Sequence, residues 1–91
     1  MSITVQHNPE HRRFETQLDG RPAYLTYTVQ GGAVSFDHTF VPEEMRGKGV
    51  AAALVREGLE EARRRQWKIV PACSYVASFV ARHPEFADLL A

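Results

Sequence analysis

The sequence predicts an α/β (α+β) domain, a twisted and mostly antiparallel sheet with two main helices. Three observations carry this. Residues 12–41 alternate apolar and polar side chains with a period of two, broken twice by hairpin-type dipeptides. From residue 51 the apolar spacing changes to three and four. A short β-branched stretch, 67–72, then separates that helix from a second one.

Taken in order, "ITVQH" near the N-terminus reads as one short strand. "RRFETQL" (12–18) alternates Phe14, Thr16 and Leu18, and Asp19-Gly20 follows as a two-residue turn. "PAYLTYTVQ" (22–30) places Ala23, Leu25, Tyr27 and Val29 opposite Tyr24, Thr26, Thr28 and Gln30, before a second turn at Gly31-Gly32. "AVSFDHTFV" (33–41) alternates Val34, Phe36, His38 and Phe40, so these four are expected on one face. After Pro42 and the loop "EEMRGKG", Ala51, Leu54, Val55, Gly58, Leu59 and Ala62 form one helical stripe. The opposite side carries Glu60–Arg64 and Glu61–Arg65 pairs in the favourable order. Arg63-Arg64-Arg65 suits the negative end of the helix dipole and a solvated helix end. "WKIVPA" is a strand that Pro71 ends, with Trp67 as a core or edge residue. A helix from about Ser74 places Val76, Phe79, Val80 and His83 on one side, Pro84 stops it, and "EFADLLA" is a last turn or short helix.

Ninety-one residues with 44% hydrophobic and 24% charged composition predict a single domain, 1–91. Net charge is zero, from 11 basic and 11 acidic residues, so no global field favours nucleic acid or an anionic membrane, and any anion site is local. No apolar run approaches a membrane span. The N-terminal "MSITVQHNPEHRR" has no apolar signal core, and the lone Cys73 has no internal disulfide partner, which together lead us to expect a cytoplasmic location. His7 and His11 lack further ligands at metal spacing, so no metal is expected. We expect a monomer or weak dimer.

The stretch "RGKGVAAALV" (46–55) puts a glycine-rich basic loop in front of a helix. The first amides of a helix have no internal partner, and the positive end of its dipole lies there. Glycine admits an anion to the backbone. Arg46 and Lys48 add positive charge, and no acidic residue occupies 45–56, which fits a site for an external phosphate; a tight turn is the plainer reading. Gly49 is followed by Val50, which excludes the P-loop, and Ala52 stands where the dinucleotide fingerprint needs a third glycine.

Arg46-Gly47-Lys48-Gly49-Val50-Ala51 resembles the Arg/Gln-x-x-Gly-x-Gly/Ala motif of the GNAT acetyltransferases. With "HTFVPEEMRGKGVAAALV", then "IVPACSYVASFVARHPEF", nearly the whole chain is similar to the small single-domain GNAT-like proteins. The resemblance implies acetyl-CoA as co-substrate and acetyl transfer to an amine acceptor, a small molecule or a protein amine. It implies parallel neighbours in the strand before the loop and "WKIVPA", splayed to admit the pantetheine arm. It implies CoA contacts from Phe40, Val41, Arg46, Gly47, Lys48, Gly49, Val50, Ala51 and Ser74. It offers no room for the early acceptor-binding helices of larger members, and Ala81 stands where those carry a tyrosine acid.

Cys73 sits where a strand ends and a helix begins, a position that favours thiolate. It is either an acyl-accepting nucleophile or a small packed residue, with direct transfer to the amine in the latter case. His38 is either a hydrogen-bonded core histidine or the general base, since imidazole titrates near neutrality. Asp37 points to the other face and is the weaker candidate. Tyr75 is a proton donor to the leaving thiolate or packs on CoA. Arg82 and His83 reach toward nucleotide phosphates or end the helix. Two readings from other classes compete with the enzyme: a non-catalytic acyl-CoA-binding module and a structural adaptor that binds partners through its sheet.

Overall fold

The computed structural model describes residues 3–91. Its elements are β1 (Gln6–Asn8), β2 (Arg13–Leu18), β3 (Arg21–Gln30), β4 (Ala33–Phe40), α1 (Val50–Arg65), β5 (Lys68–Val70) and α2 (Ser74–Arg82), with 3-10 turns at Glu43–Met45 and Pro84–Leu89. The strands form one sheet in the order β1-β2-β3-β4-β5. The first three pairings are antiparallel, and β4 runs parallel to β5, joined by the α1 crossover. This is the mixed, mostly antiparallel sheet with two main helices that the periodicities predict. The N-terminal strand begins later than expected, at Gln6, and Leu90 adds a parallel bridge to Ile69 on the far edge of β5.

The tight turn between β2 and β3 places both Asp19 and Gly20 at positive φ, as a two-residue hairpin requires. The inner face of the sheet buries Phe14, Ala23, Leu25, Tyr27, Val34 and Phe36 against Leu54, Val55, Leu59 and Ala62 of α1. Each large side chain in this layer contributes roughly 2–3 kcal/mol. Gly58 lies at the closest approach of α1 to the sheet: a Cβ there would sit 3.1 Å from both Leu25 and Phe36. Val76, Phe79 and Val80 of α2, with Phe86 and Leu89, close the same layer. Both helices pack on the inner face, and the outer residues of β2–β4, apart from the buried Ser35, remain partly or fully exposed.

One irregularity changes the reading of β4. Thr26 pairs with His38 while Tyr27 pairs with Phe36, so Asp37 is an extra residue, a β-bulge. The bulge shifts the alternation by one. Val34 and Phe36 face the core, but His38 and Phe40 face outward, and Thr39 and Val41 turn inward. The expectation that His38 and Phe40 share the face of Val34 and Phe36 is therefore corrected.

His7 fastens β1 to the rest of the layer. Its ring stacks on Phe14 at 4.4 Å, its Nε2 lies 2.6 Å from the Tyr27 hydroxyl, and its Nδ1 lies 3.7 Å from Glu61. Burial lowers its pKa below the usual value, outweighing the attraction of Glu61. The unfolded chain therefore takes up this proton at a higher pH than the folded one, and stability falls as pH drops through about 6.5. We expect the melting temperature to decline between about pH 7 and 5.5, and His7→Gln to flatten that slope. The carboxylates with lowered pKa, Glu15, Glu61 and Asp88, act at more acidic pH and leave this window to His7. An unchanged slope in His7→Gln would show that His7 carries none of it.

Candidate active site

The glycine loop owes its shape to two residues. Gly47 and Gly49 both adopt left-handed φ, +80° and +79°, and a Cβ at either would meet no heavy atom within 4 Å. Open space on the protein side and a backbone that disfavours other residues point to a need beyond internal packing. Gly49 is the N-cap of α1 and offers no side chain to the free amides that follow. The first turn of this 16-residue helix carries no acidic residue. Arg46 and Lys48 are exposed, and among the described residues neither pairs with a carboxylate. The Arg46 Nε donates to the Val41 carbonyl at 3.3 Å, which ties the guanidinium to the end of β4.

Beside the loop lies a cleft of about 400 Å³, lined by Thr39, Val41, Met45, Arg46, Gly47, Gly49, Val50, Ala51, Ala52 and Tyr75. It combines an apolar floor with backbone amides and a guanidinium at one end.

At the other end the sheet opens. The β4–β5 ladder stops at Ser35–Val70, with one further hydrogen bond donated by the Cys73 amide to the Phe36 carbonyl at 2.9 Å. From Asp37 onward, β4 has no strand partner on that side. Across this gap the Thr39 hydroxyl and the Cys73 thiol meet at 3.5 Å. Cys73 is the N-cap of α2, with extended backbone and half-buried side chain. Burial pushes its thiol pKa up, but the Thr39 hydroxyl and the amides of Val76 and Tyr75 together bring it below the ordinary value. The helix N-terminus acts here as a field on the sulfur, without a full side-chain cap bond.

Of the residues singled out from sequence, Val41, Arg46, Gly47, Gly49, Val50, Ala51 and Tyr75 share the cleft, and Cys73 adjoins it through Thr39. Lys48 is exposed on the loop. Ser74 and Arg82 lie together on a shallow, open strip of α2 with Tyr75, Ser78 and Ala81. His83 turns away from phosphate: its ring stacks on Phe79 at 4.0 Å, and its Nδ1 lies 2.9 Å from the Phe79 carbonyl, which ends α2. Phe40 stacks on Tyr24 on the outer face, so its side chain does not line the cleft. Sequence reasoning missed Thr39, because only the bulge turns it inward. It also missed Met45 and Ala52, whose apolar character resembles core.

A family model described as GCN5-related N-acetyl-transferase matches residues 13–89. The chain is 30% identical over 86 residues to the protein NATD1 of Xenopus tropicalis, covering 91% of this chain and 79% of that one. It is 31% identical over 85 residues to human NATD1, covering 90% and 75%. It is also similar to a GCN5-like protein from Staphylococcus aureus solved by NMR, with a TM-score of 0.75 and 25% identity over 97% of this chain and 87% of that one.

Proposed function

The chain belongs to the GCN5-related N-acetyltransferase family, and from that premise we propose that it transfers the acetyl group of acetyl-CoA to an amine through Cys73. The observation that carries this reading is the cleft, which runs from two left-handed glycines and open helix amides at one end to the Thr39–Cys73 contact at the other.

The CoA pyrophosphate fits the loop. Amides at the start of α1, the dipole and Arg46 meet its charge, and the absent side chains of Gly47 and Gly49 let it approach the backbone. The pantetheine arm follows the apolar floor, where Tyr75 packs against it. The free edge of β4 past the bulge supplies backbone hydrogen-bonding groups that β5 does not use. The thioester then reaches Cys73.

The Cys73 thiolate attacks the thioester carbonyl. A sulfur–carbon bond forms to Cys73, the bond to CoA sulfur breaks, and CoA leaves as a thiolate that takes up a proton. A neutral amine then attacks the acetyl-cysteine, forming the carbon–nitrogen bond and returning the Cys73 thiolate. The attacking amine loses one proton to a base, a role we assign to His38, which is exposed on the outer face and follows the bulge next to Thr39 in the chain. The Thr39 hydroxyl steadies the thiolate between turnovers.

The test is release of CoA thiol from acetyl-CoA with a mixture of primary amines. Release that depends on the amine, with an acetylated product of matching mass, is expected. CoA binding without release would instead support an acyl-CoA-binding module.

A further inference from the structure

The bulge in β4 lies just before the residue that meets Cys73, and side chains of the sheet hold it in place. A bulge interrupts the ladder and re-aims the side chains that follow it. Neither glycine nor proline imposes this one, since β4 reads AVSFDHTF. By the register of Tyr27 with Phe36, an unbulged Asp37 would stand opposite Thr26, but His38 takes that place. The Asp37 carboxylate reaches back to the preceding outer-face pair. One oxygen accepts the Thr28 hydroxyl at 2.5 Å and the other accepts the Ser35 hydroxyl at 2.6 Å. Thr28 and Ser35 are register partners across β3 and β4. The Thr26 hydroxyl donates to the His38 carbonyl at 3.4 Å, a third tie across the bulge. Asp37 enters no ion pair among the described residues, so its carboxylate serves the sheet.

The consequence falls on Thr39. Side chains and amides both alternate direction along a strand, so a shift of one residue decides where each points. With the bulge, Thr39 turns inward and its hydroxyl lies 3.5 Å from the Cys73 thiol. Burial raises the thiol pKa, but the Thr39 hydroxyl, the amides of Val76 and Tyr75, and the Thr39 amide bring it below the ordinary value. Two of those four groups belong to Thr39. In the unbulged register Thr39 would face outward with its amide toward β3, and both contacts would be lost.

We propose that Asp37 is a positioning residue for Cys73: tied to Thr28 and Ser35, it holds the β4 bulge that turns Thr39 onto the thiol. Its consequence for turnover rests on the acetyl-transfer reading above, whereas its effect on the thiol rests on the fold alone.

Cys73 is the only cysteine, so alkylation by iodoacetamide reports on it alone. The experiment compares the alkylation rate between about pH 6 and 10 in the wild type, Asp37→Ala, Asp37→Asn, Thr39→Val and the Asp37→Ala/Thr39→Val double variant. Asp37→Ala is expected to slow alkylation at neutral pH by about fivefold or more and to move the profile to higher pH. The sign is decisive. Removing a negative charge by itself favours the thiolate and speeds alkylation, so slowing identifies loss of position. Asparagine can still hydrogen-bond both hydroxyls, so Asp37→Asn should restore most of the rate. The double variant should match Asp37→Ala, because a Thr39 turned away no longer offers its hydroxyl. An Asp37→Ala rate equal to or above that of the wild type overturns the proposal. So does an Asp37→Asn profile as slow as that of Asp37→Ala, or a double variant whose losses multiply. If Asp37→Ala does not fold, Thr28→Val removes one tie and keeps the carboxylate. A smaller slowing in the same direction then supports the proposal, and an unchanged profile overturns it. Turnover retained in Cys73→Ala would end the relay through Cys73, and the alkylation series would still decide the role of Asp37.

Discussion

Cys73→Ala is expected to lose turnover by on the order of a thousandfold while keeping its affinity for CoA. The phosphate loop lies on α1 and Cys73 on α2, so removing the thiol leaves the loop intact. Cys73→Ser should fail as well, because a hydroxyl is not ionised near neutral pH. Three readouts on the wild type accompany this. The thiol, with its pKa lowered by Thr39 and the amides of α2, should be alkylated at a pH where ordinary thiols are slow. Bound acetyl-CoA should protect it. Acetyl-CoA without amine should add one acetyl group to the intact mass, removable by hydroxylamine. If both variants turn over near the wild-type rate, acetyl passes directly from CoA to the amine, and Cys73 only packs.

Gly49→Val is expected to weaken CoA by at least about a hundredfold. At φ +79° a β-branched residue is strained, by about 1–2 kcal/mol, and its Cβ projects into the space the phosphate needs. The strain alone lowers the melting temperature by about 4–8 °C per kcal/mol in a domain of this size. Pantetheine, which lacks the pyrophosphate, should lose far less. That difference separates a phosphate site from general damage to the cleft. Unchanged CoA affinity in a folded Gly49→Val protein would mean that the glycines serve the turn alone.

Much of this architecture is legible in the sequence, for identifiable reasons. The hairpins follow from alternation and from turn residues such as Asp19-Gly20, and α1 from its apolar stripe, because these signals are local. The glycine loop is legible because Gly47, Gly49 and the lack of acidic residues around α1's first turn leave few structural uses. The bulge at Asp37 is not. No proline or glycine marks it, and period-two counting through it carries His38 and Phe40 to the wrong face and hides Thr39. The Thr39–Cys73 contact spans 34 positions and exists only because β4 and β5 part at that point. His83 misleads for a related reason. Its place beside Arg82 suggests phosphate, and only the fold shows its ring stacked on Phe79. The network of His7, Tyr27 and Glu61 joins three elements, none of which signals it alone.

The central claim is that the cleft between the glycine loop and Cys73 receives acetyl-CoA. Titration of isotope-labelled wild-type protein with acetyl-CoA, followed by amide NMR, tests it most directly. The account predicts saturable shifts, largest at Gly47, Gly49, Val50 and Ala51, with a second group at Thr39 and Cys73. Shifts that never saturate, or that fall elsewhere and spare these residues, would contradict it.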